Sequence, residues 1–159
     1  MGDDLRLQER DAVRTPMQWS AAPNGGFSPA PRSRLVLPVV ARGAFGFRRV
    51  NVADQHRDPS SLLQFVRRAI RCRRESPELA AGDWETVATR TPAVFAIRYR
   101  LDGSELLAVH NLAAAPVRVR GLGNGDLVDI LSDRAYDPPT SSLELDGHGF
   151  RWLRTNDAA

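Results

Sequence analysis

Arg14 opens the run Arg14-Thr15-Pro16-Met17-Gln18-Trp19, with Ser20 next in line. A guanidinium presents a planar fork of N–H donors, and that fork suits a vicinal diol and a carboxylate held side by side. Gln18 and Trp19 read as residues that shape and pack the run. The other chemistry-bearing residues are dispersed. His56, His110 and His148 have no Cys or His partner at metal-ligand spacing, so no metal is expected. Ser, His and Asp all occur, but no nucleophile-elbow pattern joins them. Gly121-Leu122-Gly123-Asn124-Gly125 resembles a phosphate loop only superficially. It links two strands rather than opening a helix, so it reads as a turn. No cofactor motif is present. Cys72 is the only cysteine, which rules out an internal disulfide and is compatible with a reducing cytoplasm.

The elements that must position these residues differ along the chain. Over residues 1–57, Pro16, Pro23, Pro29, Pro31 and Pro38, with Gly25, Gly26, Gly43 and Gly46, break every candidate helix. The segment is too rich in Met17, Trp19, Phe27, Leu35, Val36, Leu37, Phe45 and Phe47 for simple disorder, so it reads as built to lie on something else. Residues 59–75 read as a helix with Asp58 as its N-cap and Pro59 at its first position. Leu62, Leu63, Val66, Ala69 and Ile70 form its apolar stripe, Arg71, Arg73 and Arg74 its last turn, and Pro77 its stop. From Trp84 the hydrophobic period becomes two. About seven short strands follow, with Asp102-Gly103 as a hairpin signal, and the pattern predicts an antiparallel β-sandwich.

Composition sets outer bounds. At 159 residues, 42% hydrophobic and 26% charged, the chain has the make-up of a folded globular protein. No apolar run approaches the roughly 20 residues that span a bilayer, and Met1-Gly2-Asp3-Asp4-Leu5-Arg6 is no signal peptide. All 22 basic residues are arginine, opposed by 19 acidic ones along the chain. That interspersion argues against a nucleic-acid stripe, and Arg67, Arg68, Arg71, Arg73 and Arg74 read as a solvated helix face. Neither a nucleic-acid nor a membrane partner is expected.

Arg14-Thr15-Pro16-Met17-Gln18-Trp19 resembles a signature of the α-amylase superfamily, in its α-glucosidase and trehalose synthase branch. The match runs on through Asn24-Gly25-Gly26-Phe27-Ser28, Arg34-Leu35-Val36-Leu37-Pro38-Val39, Val50-Asn51-Val52 and Asp58-Pro59-Ser60-Ser61-Leu62-Leu63. Ser20 and the Arg34–Val39 run favour the trehalose synthase form over the glucosidase form. The resemblance implies a mainly β architecture: residues 1–79 as the end of a catalytic barrel, with the excursion after its eighth strand and its closing helix, and residues 80–159 as the C-terminal β-sandwich. It also implies that the family's nucleophile, acid/base and third aspartate lie on strands upstream of residue 1. None of Asp3, Asp4, Glu9, Asp11, Asp54 or Asp58 falls in a matching motif, so no catalytic residue is assigned. Arg14 is the one residue the resemblance assigns to substrate, reaching the non-reducing glucose beside an aspartate from the barrel.

Two functions from different classes follow. The first is the C-terminal fragment of an enzyme that rearranges maltose to trehalose by intramolecular transglucosylation, inactive alone, with Met1 an internal residue read as a start. Maltose and trehalose would then be ligands only within a complete barrel. The second is a non-catalytic module that binds α-glucan through Trp84, Tyr99, Tyr136 and Trp152, or docks on a separately encoded barrel protein. The commoner role of such sandwich aromatics is core packing. A decayed gene without function and the tail of an α-glucosidase complete the alternatives.

Overall fold

The computed structural model describes residues 10, 13–122 and 127–155. The sequence reading of Met1-Gly2-Asp3-Asp4, of Glu9 and Asp11, and of Gly123-Asn124-Gly125 lies outside the described residues. The chain is mainly β and divides between Arg67 and Arg68 into two compact units.

The first unit is mostly turns, but one short helix breaks the expected irregularity. Helix α1, Val52–Arg57, starts at Asn51, whose Oδ1 accepts from the Asp54 backbone N at 3.0 Å. Six residues are too few for a 3.6-residue period to be visible in sequence. Their helix depends on that cap and on outside acceptors: Gln18 O takes Val52 N at 2.9 Å and Trp19 O takes Ala53 N at 3.0 Å.

Helix α2, Leu62–Arg74, begins three residues later than expected. Asp58 is not its cap. That residue ends α1, and its carboxylate accepts from Ser60 N at 2.9 Å in a local turn. The cap is Ser61, whose Oγ accepts from Gln64 N at 3.3 Å and donates to Gln55 O at 2.6 Å. Leu62, Val66 and Ile70, four apart on one face of α2, are exposed, whereas Cys72 is buried.

In the second unit, a four-residue helix, α3 (Glu78–Ala81), follows Pro77 and leads into seven strands. They are β1 (Asp83–Thr86), β2 (Val94–Leu101), β3 (Ser104–Asn111), β4 (Val117–Arg120), β5 (Leu127–Ser132), β6 (Ser142–Leu145) and β7 (Phe150–Thr155). All pairings are antiparallel, in one sheet of order β1-β2-β3-β7-β5 and a second of β4-β6. The β2–β3 hairpin turns through Asp102 at φ 49° and Gly103 at φ 90°, the left-handed pair that a two-residue hairpin loop requires. Alternation decides the faces. Val94, Ala96, Leu107, Val109 and Leu153 of the larger sheet pack with Val119, Leu143 and Leu145 of the smaller as the core. No helix among the described residues is long and apolar enough to cross a membrane.

Candidate functional site

The Arg14–Trp19 run is positioned by the chain that follows it. Trp19 N and Ser20 N both donate to Gly25 O, at 2.8 and 3.0 Å, across a turn in which Asn24 (φ 53°) and Gly25 (φ 67°) are left-handed. A β-branched residue at either position would be strained, which explains the Asn-Gly pair. Gln18 is fixed from both ends: its carbonyl receives Val52 N, and its Nε2 donates to Phe45 O at 3.0 Å. The run therefore supports the N-terminus of α1 and is held by it.

Beside the run lies an open concavity of about 350 Å³, with Thr15, Pro16, Met17 and Gln18 on one side and Phe45, Asn51 and Gln55 on the other. Its polar groups are already engaged. Asn51 is buried and donates to Phe47 O at 2.9 Å and to Asp54 Oδ2 at 2.7 Å; Gln55 Oε1 accepts from Leu63 N at 3.1 Å. Arg14 is exposed, between the lining residues Val13 and Thr15, and forms no ion pair or hydrogen bond among the described residues. Gln55 had no sequence signal for its place in this wall, and Asn51 only its membership of the Val50–Val52 run, because their roles depend on where the 14–19 run returns to meet α1.

Two of the described carboxylates show how such groups are used here. Asp54 takes the Asn51 amide and faces Arg57 at 3.6 Å. Glu78 is the one carboxylate buried among the described residues, at 2% exposure. Ser104 Oγ donates to its Oε1 at 2.6 Å, and Arg154 Nη2 donates to its Oε2 at 3.1 Å and to Ser76 Oγ at 2.8 Å. Burial pushes the Glu78 carboxyl upward, but the hydrogen bonds from Ser104 and from its own backbone N–H, with the Arg154 guanidinium, outweigh it and hold it below its ordinary value near 4.5. A carboxyl paired in this way, with no second carboxylate beside it, is a tie between α3, β3 and β7 rather than an acid or base.

That tie predicts a pH dependence. A carboxyl lowered on folding contributes stability that is complete above its unfolded value and disappears as pH falls through its folded one. The chain is therefore expected to weaken as pH drops below about 4.5. Glu78→Gln is expected to be less stable at pH 7 and to approach the parent in acid, read from urea midpoints at each pH. Parallel curves from pH 7 to 3 would remove Glu78 from the acid transition.

Among the described residues no group of three or more His, Cys, Asp or Glu side chains is placed to hold a metal. His110 stacks on Phe150 at 5.8 Å, and burial lowers its pKa; burial likewise raises the Cys72 thiol. Of the four aromatic residues weighed as a stacking surface, the strand register puts Trp84, Tyr99 and Trp152 on one face of the larger sheet, and Tyr136 lies outside the strands. Trp84 is 66% exposed on the edge strand, so the core reading fails for it, and its cross-strand neighbour is Tyr99. Tyr136 instead lies under the guanidiniums of Arg134, at 3.9 Å, and Arg151, at 4.7 Å.

Residues 1–82 match the family model described as alpha amylase, catalytic domain, and residues 103–154 match sucrose hydrolase-like, C-terminal domain. The trehalose synthase of Pimelobacter sp. (strain R48) is 36% identical over 168 residues, spanning 99% of this chain and 29% of that protein. The trehalose synthase/amylase TreS of Mycobacterium tuberculosis is 33% identical over 171 residues, spanning 97% and 27%. The trehalulose synthase MutB from Pseudomonas mesoacidophila MX-45 superposes with a TM-score of 0.71 at 27% identity, over 94% of this chain and 26% of its own. The chain thus spans under a third of the length of the relatives it matches.

Proposed function

Because the chain belongs to the α-amylase family, we propose that it is the C-terminal portion of a trehalose synthase-type enzyme, supplying one wall of the sugar pocket, the barrel-closing helix and the β-sandwich. The observation that carries this reading is the order of the two matched models along one chain, a catalytic-domain end followed by a C-terminal domain. The chemistry of the whole enzyme is intramolecular transglucosylation: maltose loses its glucosyl group to a carboxylate nucleophile, and the retained glucose recaptures it through another hydroxyl as trehalose. A retaining mechanism of this kind needs two carboxyl groups about 5–5.5 Å apart. Glu78 and Asp54, engaged as described, do not supply such a pair. The family resemblance assigns both carboxylates to the preceding barrel, on the same chain or on a separately encoded one, and Arg14 to the non-reducing glucose. The single buried thiol suits a reducing cytoplasm.

The test is turnover of maltose, followed by chromatography of trehalose and glucose. Residues 1–159 alone are expected to be folded by circular dichroism and to release neither sugar. The same residues fused behind the preceding region of the Pimelobacter enzyme are expected to form trehalose. Turnover by the chain alone, or a folded fusion that makes no trehalose, would overturn the reading. A second reading, an α-glucan-binding module, is favoured by exposed Trp84 beside Tyr99 on the edge strand. Retention of the chain alone on an α-glucan column, lost in Trp84→Ala, would select it.

A further inference from the structure

Acidic partners are unevenly spread along the chain. In the second unit Arg98, Arg100, Arg118, Arg134, Arg151 and Arg154 are each ion-paired with a carboxylate. Between Val13 and Asn51, by contrast, the sequence holds six arginines and no carboxylate side chain. The interspersion of charge that holds over the whole chain fails in this segment. Uncompensated like charges repel one another within a Debye length, roughly 8–10 Å at moderate salt, so such a cluster costs stability unless an anion joins it.

Three of the six arginines share one concavity. Arg32, Arg42 and Arg48, with the Asn24 amide, line a hollow of about 260 Å³ whose apolar part is the buried Val39 and Phe47. Two turns bring them together. Asn24 Nδ2 donates to Ser28 O at 3.0 Å and Ala30 O at 2.7 Å, closing the loop that leads to Arg32. Phe47 N donates to Val40 O at 2.9 Å, closing the loop that carries Arg42 and ends next to Arg48. The Arg48 guanidinium lies 5.8 Å from the Phe47 ring, which orients it over the hollow's apolar wall. None of the three guanidiniums has an ion pair or hydrogen bond among the described residues, and no carboxylate lines the hollow.

We propose that this hollow is an anion-binding site that takes a small phosphate monoester, with the Arg32, Arg42 and Arg48 forks on the phosphate oxygens. Arginine forks match phosphate geometry and form the stronger, charge-assisted hydrogen bonds. The volume, about 260 Å³, lies just below the roughly 300–1,000 Å³ of ordinary ligand sites, which fits a single small phosphorylated metabolite rather than a nucleic-acid strand. The site is separate from the concavity beside Arg14, with which it shares no lining residue.

The experiment is calorimetric titration of the full chain at low salt with inorganic phosphate and with glycerol 3-phosphate. Saturable one-to-one binding is expected for both. Arg32→Gln, Arg42→Gln and Arg48→Gln are each expected to weaken it roughly tenfold or more, with Arg42→Lys in between. Arg34→Gln and Arg49→Gln remove the same charge outside the hollow and are expected to change it less than about twofold. All five positions are exposed, and unchanged circular dichroism certifies each variant. Absence of saturable binding, or equal weakening by all five glutamine variants, would overturn the site and reduce the cluster to diffuse charge.

Discussion

Asp129→Ala is expected to destabilise the sandwich by about 3 kcal/mol, and by more than Arg151→Met does. Asp129 Oδ1 accepts from Arg151 Nε at 2.8 Å, and its second oxygen accepts from Nη2 of the same guanidinium. The two residues are not equally replaceable. Arg151 is 1% exposed, whereas Asp129 keeps about a quarter of its side-chain surface in water. Removing the carboxylate leaves a buried cation with the Asp137 carbonyl, at 3.0 Å, and the Tyr136 ring as its remaining partners. Those partners place the loss at the lower end of the roughly 3–5 kcal/mol that breaking a buried pair costs. Removing the arginine leaves a carboxylate that water can reach, and methionine refills the apolar volume. Against a domain's net stability of roughly 5–15 kcal/mol, the first change is severe and the second moderate. Urea unfolding of both single variants and the double variant measures the coupling. Asp129→Ala within about 1 kcal/mol of the parent would show that the pair contributes little.

This pair marks a boundary between what the chain's pattern reveals and what it conceals. Most of strands β2 to β7 were legible because a sheet with one buried face alternates residue by residue, as Val117 to Arg120 does with Val119 inward and Arg118 and Arg120 outward, whereas β3, buried on both faces from Leu106 to Val109, shows as a short apolar run. The β2–β3 turn was legible because Asp-Gly is the pair that accepts two left-handed conformations. Helices α1 and α3 were not, since elements of six and four residues have no period to read. The start of α2 was misplaced because Asp58-Pro59 imitates a cap, while the real cap depends on Ser61 reaching both Gln64 N and Gln55 O. Partners distant in sequence are the general difficulty. Nothing local distinguishes Glu78 from other carboxylates, and the residue that holds it is Arg154, 76 positions away.

The candidate site was legible to the same limited degree. A six-residue run of mixed chemistry singled out this segment, and the structure places Thr15 to Gln18 along a concavity. Asn51 and Gln55, which complete that wall, carry amides whose importance appears only when Gln18 O and Trp19 O are seen to seat α1. The arginines of the second hollow were concealed by averaging: a chain with 22 basic and 19 acidic residues looks balanced until residues 13–51 are taken separately.

The largest effect is expected at Arg14, in the fusion that carries the family's catalytic barrel. There Arg14→Ala should lower kcat/KM for maltose by at least about a hundredfold. Each charge-assisted hydrogen bond contributes roughly 1.5–3 kcal/mol, a guanidinium fork makes two, and each 1.36 kcal/mol is one power of ten in rate. Arg14 is suited to this because it is exposed and bound to no other described group, so its donors are not committed to holding the loop. The loop is held instead by Gln18, Trp19 and Gly25, so the substitution should leave the fold intact and act on the sugar alone. Arg14→Lys keeps the charge and loses the fork, so it should recover only part of the rate. Arg34→Ala supplies the comparison, an exposed arginine lost from the same unit with no expected effect on turnover. Steady-state kinetics on maltose for the three variants decides the matter. If Arg14→Ala loses less than about tenfold, or no more than Arg34→Ala, the arginine that opens the run does not touch the sugar and serves only to keep that rim charged.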